Sequence, residues 1–192
     1  QSSIRGISLK ETIIGAKIGG ITGEQPAVTT VNYFTGNDES KWKTNVPTYN
    51  MVNFGEVYKG IELSLKAYGD NVEKLFSVKP GANPEFIKVQ INGSKSLRIN
   101  QDGQLEVDTE LGSVKFTRPI AYQEIEGKRV EVAVEYSTHG SENEGVEGEE
   151  QGCVGAGENQ KPETKNSKRI YSFKVASYDR TKDLIIDPLL AS

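Results

Sequence analysis

From Val46 to Val175 runs of apolar and polar residues alternating at period two are separated by links carrying Gly, Asp or Asn at spacings suited to hairpins. SLRIN (96–100) and QLEVDT (104–109) are joined by Asn100-Gln101-Asp102-Gly103, whose Asp and Gly supply the left-handed residue of a tight turn. IELSLKAY (61–68) and VEKLFSV (72–78) flank Gly69-Asp70-Asn71 in the same way. Glu110-Leu111-Gly112 leads into SVKFT (113–117), and Glu126-Gly127 joins AYQEI (121–125) to KRVEVAVEY (128–136), which places Val130, Val132, Val134 and Tyr136 on one face. A meander of at least four antiparallel strands is expected, with Pro119 at an edge or bulge because it cannot donate to a ladder. The predicted fold class is all-β: an antiparallel β-sandwich of successive hairpins with a long acidic loop insertion. Its predicted core includes Leu65, Phe76, Val89, Leu97, Leu105, Val107, Phe116, Val132, Val134 and Phe173.

At 192 residues the chain can bury a substantial core, and 20 Gly against a single Met favour strands and turns over long helices. No apolar run approaches the length that crosses a bilayer. A net charge of -4 without a Lys/Arg cluster argues against nucleic-acid binding. One Cys, Cys153, excludes an intrachain disulfide framework, and one His, His139, excludes a His-rich zinc site. Gln1, without a leader before it, reads either as a mature terminus or as a trimmed one.

Charge is distributed unevenly. Residues 140–160 hold six Glu and no Lys or Arg, so removing them from a net of -4 leaves the rest at +2. That composition is a solvated loop. Glu147, Glu149 and Glu150 within it, together with Ile7, Leu9 and Ile14 of the weakly alternating N-terminal segment, are candidate assembly residues, through charge complementarity and strand addition. The N-terminal segment either adds a strand to its own sheet or lies along a partner.

VNYFTGNDESKWKTNVPTY (31–49) gathers the only Trp, two Tyr and a Phe in one irregular stretch. Tyr33, Trp42 and Tyr49 are candidate ligand-binding residues, since aromatic faces on β-scaffolds stack on sugar rings. The favoured reading is that these aromatics close one end of the core, with Trp42 structural. Asp38 and Asp102 lie near Gly and Asn in loops and are the candidate ligands of a structural Ca²⁺. Turn chemistry is the stronger account of both, and no cofactor is expected. Asn92-Gly93-Ser94 matches a glycosylation sequon, also read as a turn. Nothing singles out two carboxylates as a hydrolytic pair, so no enzyme activity is expected.

These stretches, with VYKGIELSLKAYG (57–69), FSVKPGANPEFIKV (76–89), RPIAYQEIEGKRVEV (118–132) and ASYDRTKDLIIDPLL (176–190), resemble the strand-rich domain of unknown function that precedes seven-bladed β-propeller repeats of the SBBP type. That domain occurs in large secreted or surface proteins of bacteria and some archaea, and the acidic loop departs from its pattern as an insertion. The resemblance, which covers 31–190, implies a secreted or cell-surface location and a sandwich module over 31–192 followed by a propeller; the weakly patterned segment over 1–30 is expected to be an N-terminal strand segment that serves as an assembly arm. The expected function is a non-catalytic structural module for assembly, adhesion or display, by strand addition in a fibre or surface layer. The expected partners are copies of itself or adjacent propeller and surface domains. The alternative is a carbohydrate-binding module with a glycan ligand held by Tyr33, Trp42 and Tyr49.

Overall fold

The links that punctuate the sequence close real hairpins, because their residues adopt the backbone angles the turns demand. Glu126 (φ 51°) and Gly127 (φ 71°) are both left-handed, as a two-residue primed turn requires, and they join Ile125 to its ladder partner Lys128. The computed structural model describes residues 4–69, 71–139, 169–188 and the strand backbone at 190–191. Glu147, Glu149, Glu150 and the rest of the acidic insertion lie outside the described residues.

Apart from two short 3-10 turns, Glu39–Lys41 and Pro84–Phe86, the regular structure described is β. The strands are β1 (Lys10–Ile13), β2 (Thr22–Tyr33), β3 (Lys43–Tyr58), β4 (Ile61–Tyr68), β5 (Asn71–Val78), β6 (Lys88–Asn92), β7 (Ser96–Ile99), β8 (Leu105–Thr109), β9 (Gly112–Phe116), β10 (Ile120–Ile125), β11 (Lys128–Val132), β12 (Val134–His139), β13 (Ile170–Val175), β14 (Leu184–Asp187) and β15 (Leu190–Ala191). They form three antiparallel sheets ordered β1-β6-β13-β12, β11-β10-β14-β5-β4-β3-β2 and β15-β9-β8-β7. This is the all-β, sandwich-like architecture expected. All three sheets face one core, in which Phe76, Phe116, Tyr136, Tyr171 and Phe173 pack with neighbouring ring centroids 5.6 to 6.3 Å apart.

Seven of the ten expected core residues are buried, Leu97 and Val132 pack against the core from its edge, and Leu65, on the same face as Ile61 and Leu63, is only half-buried because burial fades toward the far end of β4.

The meander expected over 96–136 is divided. β7, β8 and β9 are consecutive neighbours in one sheet, β10 and β11 pair with each other in the seven-stranded sheet, and β12 belongs to a third. Arg118-Pro119 carries the chain across the first gap, so Pro119 marks a change of sheet rather than an edge or bulge. The second change falls at Ala133, which breaks the expected common face: Val134 and Tyr136 are buried while Val130 is 44% exposed. The N-terminal segment takes the first of its two expected courses, with β1 pairing to β6 from Lys10↔Asn92 to Ile13↔Val89. Residue 30 lies inside β2.

The β2–β3 hairpin is longer than the sheet that carries it. β4 accompanies β3 only from Met51 to Tyr58, whereas β2 follows β3 outward from Pro26↔Tyr49 to Tyr33↔Lys43. The outer half is therefore a two-stranded ribbon. It is irregular at two places: Ala27, Val28 and Thr29 together span the position of Thr48, and Thr44 and Asn45 together oppose Asn32, with Asn45 at φ 55° and its N–H donating to Asn32 Oδ1 at 2.8 Å. Trp42 stands beside this ribbon, outside the buried core, so the expectation that it closes the sandwich fails. No third strand reaches far enough to cover it. Trp42→Ala should cost about 1 kcal/mol instead of a core tryptophan's several, a difference that urea denaturation resolves.

Candidate functional site

The loop that turns β2 into β3 is organised by Asp38. Its Oδ1 accepts from Ser40 N (3.1 Å) and Ser40 Oγ (2.6 Å), while Oδ2 faces Lys41 Nζ at 3.3 Å. These partners, the Ser40 hydroxyl first, hold its carboxyl below the usual range. Trp42 Nε1 donates to Gly36 O at 3.2 Å, and the indole meets Phe34 edge-on at 5.2 Å with an 87° angle between rings. Asp102 likewise serves a turn: its N–H donates to Asn100 Oδ1 at 3.0 Å. No three acidic, His or Cys side chains converge to hold a metal among the described residues.

The aromatic trio is not brought together. Tyr33 opposes Lys43 at the ribbon's far end, whereas Tyr49 opposes Pro26 at its base, its ring against Gly23. Pro26 and Tyr33 are separated by seven positions on β2, roughly 20 Å of strand. With Phe34 and Trp42 perpendicular, no flat platform for a pyranose forms. What the ribbon does present is exposed apolar surface at Val28, Val31, Tyr33 and Phe34. Of the candidate assembly residues, Leu9 packs against the core and Ile14 is pinned to it, its N–H donating to Lys88 O and its carbonyl accepting from Tyr58 OH; Ile7 is exposed.

Three polar groups escaped the sequence reading. Lys74 shares the inward parity of Phe76 and Val78 on β5, a legible anomaly, and its ammonium lies 2.7 Å from both Glu11 oxygens and 4.5 Å from the Phe116 ring centroid. Tyr171 OH also donates to Glu11 Oε1, at 3.1 Å. Burial lowers the Lys74 pKa against the opposing charge of Glu11, and burial foremost raises that of Tyr171. Gln123, inward on β10 beside Ala121, clamps the 179–183 loop. Its Nε2 donates to the carbonyls of Asp179 (2.8 Å), Asp183 (3.3 Å) and Lys182 (3.4 Å), and its Oε1 accepts from Asp179 N (2.9 Å).

The third is Asp187. It borders a cleft of about 770 Å³ at the end of the seven-stranded sheet, beneath the two crossings at Pro119 and Ala133. Ile186 and its ladder partner Phe76 face the core, so Asp187 and Glu73, each an odd step away, project together from the sheet's other face. Burial, aided by the Glu73 charge, pushes Asp187 up to about 6 against the pull of Arg129 and Lys66.

Residues 1–189 match the model of a family described as a domain of unknown function, DUF7948. No curated protein and no solved structure matches the chain.

Proposed function

The chain belongs to the DUF7948 family, a domain of unknown function, and on its geometry we propose a non-catalytic structural module that assembles with a second copy of itself along the free edge of β2. The observation that carries this reading is the contrast between the two edges of the seven-stranded sheet. β11 (KRVEV) guards its edge with Lys128, Arg129 and Glu131, the usual defence of an exposed strand. β2 ends in AVTTVNY (27–33), uncharged, rich in β-branched residues and without Pro, on a ribbon exposed nearly throughout. Such a stretch is a template for another strand. Antiparallel addition of the same stretch from a second copy gives a two-fold, self-complementary contact that also covers Val28, Val31 and Tyr33.

A glycan partner is not favoured, because the aromatic rings are perpendicular or far apart. Hydrolysis is not favoured either: glycosidase carboxylates flank a bond from opposite sides, and Asp187 and Glu73 leave one face of adjoining strands. The resemblance to domains that precede SBBP-type propellers supports a setting in secreted or surface proteins, where paired modules would cross-link larger chains in a layer or fibre.

The test is sedimentation across a concentration series. The chain should pass from monomer to dimer, and Val28→Lys with Val31→Lys should remain monomeric at an unchanged melting temperature, both side chains being exposed. A monomer at every concentration sinks self-assembly; mixed pairing with a foreign strand alone would assign the edge to another domain.

A further inference from the structure

We infer that the cleft beside Asp187 binds a primary ammonium on an aliphatic stem, as carried by a lysine side chain or a free alkylamine, with the Asp187 carboxylate as its counter-ion. The site stands apart from the β2 edge and does not depend on self-assembly.

The cleft has two kinds of wall. Tyr68, Pro119, Ile120, Val132 and Val134 present apolar or aromatic surface, and Asp187, Glu73 and Glu131 supply carboxylates. Among the described residues Asp187 Oδ1 is closed to solvent and accepts no hydrogen bond. A polar atom in that condition is costly unless something compensates it. None of the cations around it donates to that oxygen: Lys66 Nζ pairs with Glu73 at 3.5 Å, the Arg129 guanidinium lies 3.7 Å over the Tyr122 ring, and Arg118 lines the cleft on its exposed side. An ionised Asp187 therefore has Arg129 and Lys66 nearby but no cation in direct contact with its Oδ1, at the edge of a half-apolar cavity.

The ligand class follows by elimination on chemistry. An anion would meet three carboxylates against one lining arginine, Arg118. A neutral polyol would bring the Asp187 carboxylate no counter-charge. A divalent metal would need three converging ligands, which the described residues do not provide. An ammonium on a methylene stem fits both walls, its head against the carboxylate and its stem along Ile120 and Val132.

The site carries its own pH dependence. The charged groups around Asp187 are Glu73 on β5, Lys66 on β4, Arg129 and Glu131 on β11, and Arg118 in the β9–β10 link. With its carboxyl pushed up to about 6, Asp187 holds a cation above that pH and releases it below. Its effect on folding has the matching sign. The folded value lies above the unfolded one, so protonated Asp187 favours the fold at pH 4, and that stability is lost as the pH rises through 6. Asp187→Asn, neutral throughout, should melt higher than the parent at pH 8 and equally at pH 4.

The test titrates the chain with n-butylammonium at pH 8 and pH 5 while following the methyl resonances of Ile120, Val132 and Val134. Saturable binding is expected at pH 8, about tenfold weaker at pH 5 and in Asp187→Asn at pH 8. n-Butanol is the neutral control. Lysine blocked at both backbone ends, compared with blocked norleucine, separates the sources: binding of blocked lysine points to a partner peptide's side chain, and binding of butylammonium alone points to a free amine. Absence of saturable binding by either amine at pH 8, equal binding by Asp187→Asn, or equal binding of n-butanol overturns the assignment. Because Asp187→Asn is expected to fold at least as well as the parent, loss of binding in it reports the site.

Discussion

Glu11→Ala should destabilise the chain by about 3 kcal/mol, because it strands the Lys74 ammonium among Phe116 and Tyr171 with no counter-charge. The lower end of the range for a broken buried pair applies, since the Glu11 side chain keeps 31% exposure against 11% for Lys74. Lys74→Met places an apolar stem on the same aromatic rings and should cost less than about 1 kcal/mol. The double variant should then recover most of what Glu11→Ala loses. Equilibrium urea denaturation of the four proteins closes a double-mutant cycle. Additive single effects would mean that the pair contributes nothing as a pair, and that β1 is held by its ladder to β6 alone.

Gln123→Leu is the second large effect expected, at about 3 kcal/mol. It preserves bulk but removes the donor to the carbonyls of Asp179, Lys182 and Asp183 and the acceptor for Asp179 N–H. Gln123→Glu should be worse at neutral pH, because a carboxylate would then face three carbonyl oxygens. Amide exchange supplies the second readout: Asp179 N–H should lose its protection in Gln123→Leu and keep more of it in Gln123→Glu, whose carboxylate still accepts. A Gln123→Leu protein of parental stability would show that the 179–183 loop holds its course without the clamp, through the Asp179 turn with Thr181 and the Lys79–Asp183 ion pair.

These two sites were partly legible. Lys74 and Gln123 both occupy inward positions of strands whose alternation is plain, and a polar residue on an apolar parity must find a partner or unfold the strand. The sequence shows that a partner is needed without showing which: Glu11 lies 63 positions from Lys74, and Asp179 lies 56 from Gln123. Asp187 gave no such warning, since it falls on the outward parity where an acidic residue is unremarkable. Its burial comes from the crossings at Pro119 and Ala133, which roof that part of the sheet.

Local order was written in the chain. Several strands from β4 onward, the hairpin turns and most of the buried set follow from period-two burial and from residues that accept positive φ, properties of a few neighbouring residues at a time, whereas more than half of 31–49, read as irregular, is strand, in β2 and β3. Which hairpins share a sheet was decided by the tertiary structure. The break at Ala133 and the crossing at Pro119 cost little locally and are selected by where Val134 and Tyr136 can be buried. The fate of Trp42 was decided in the same way. A cluster of aromatics states how much apolar surface a segment carries, but burial requires a third element to cover it, and β4 ends before the ribbon does.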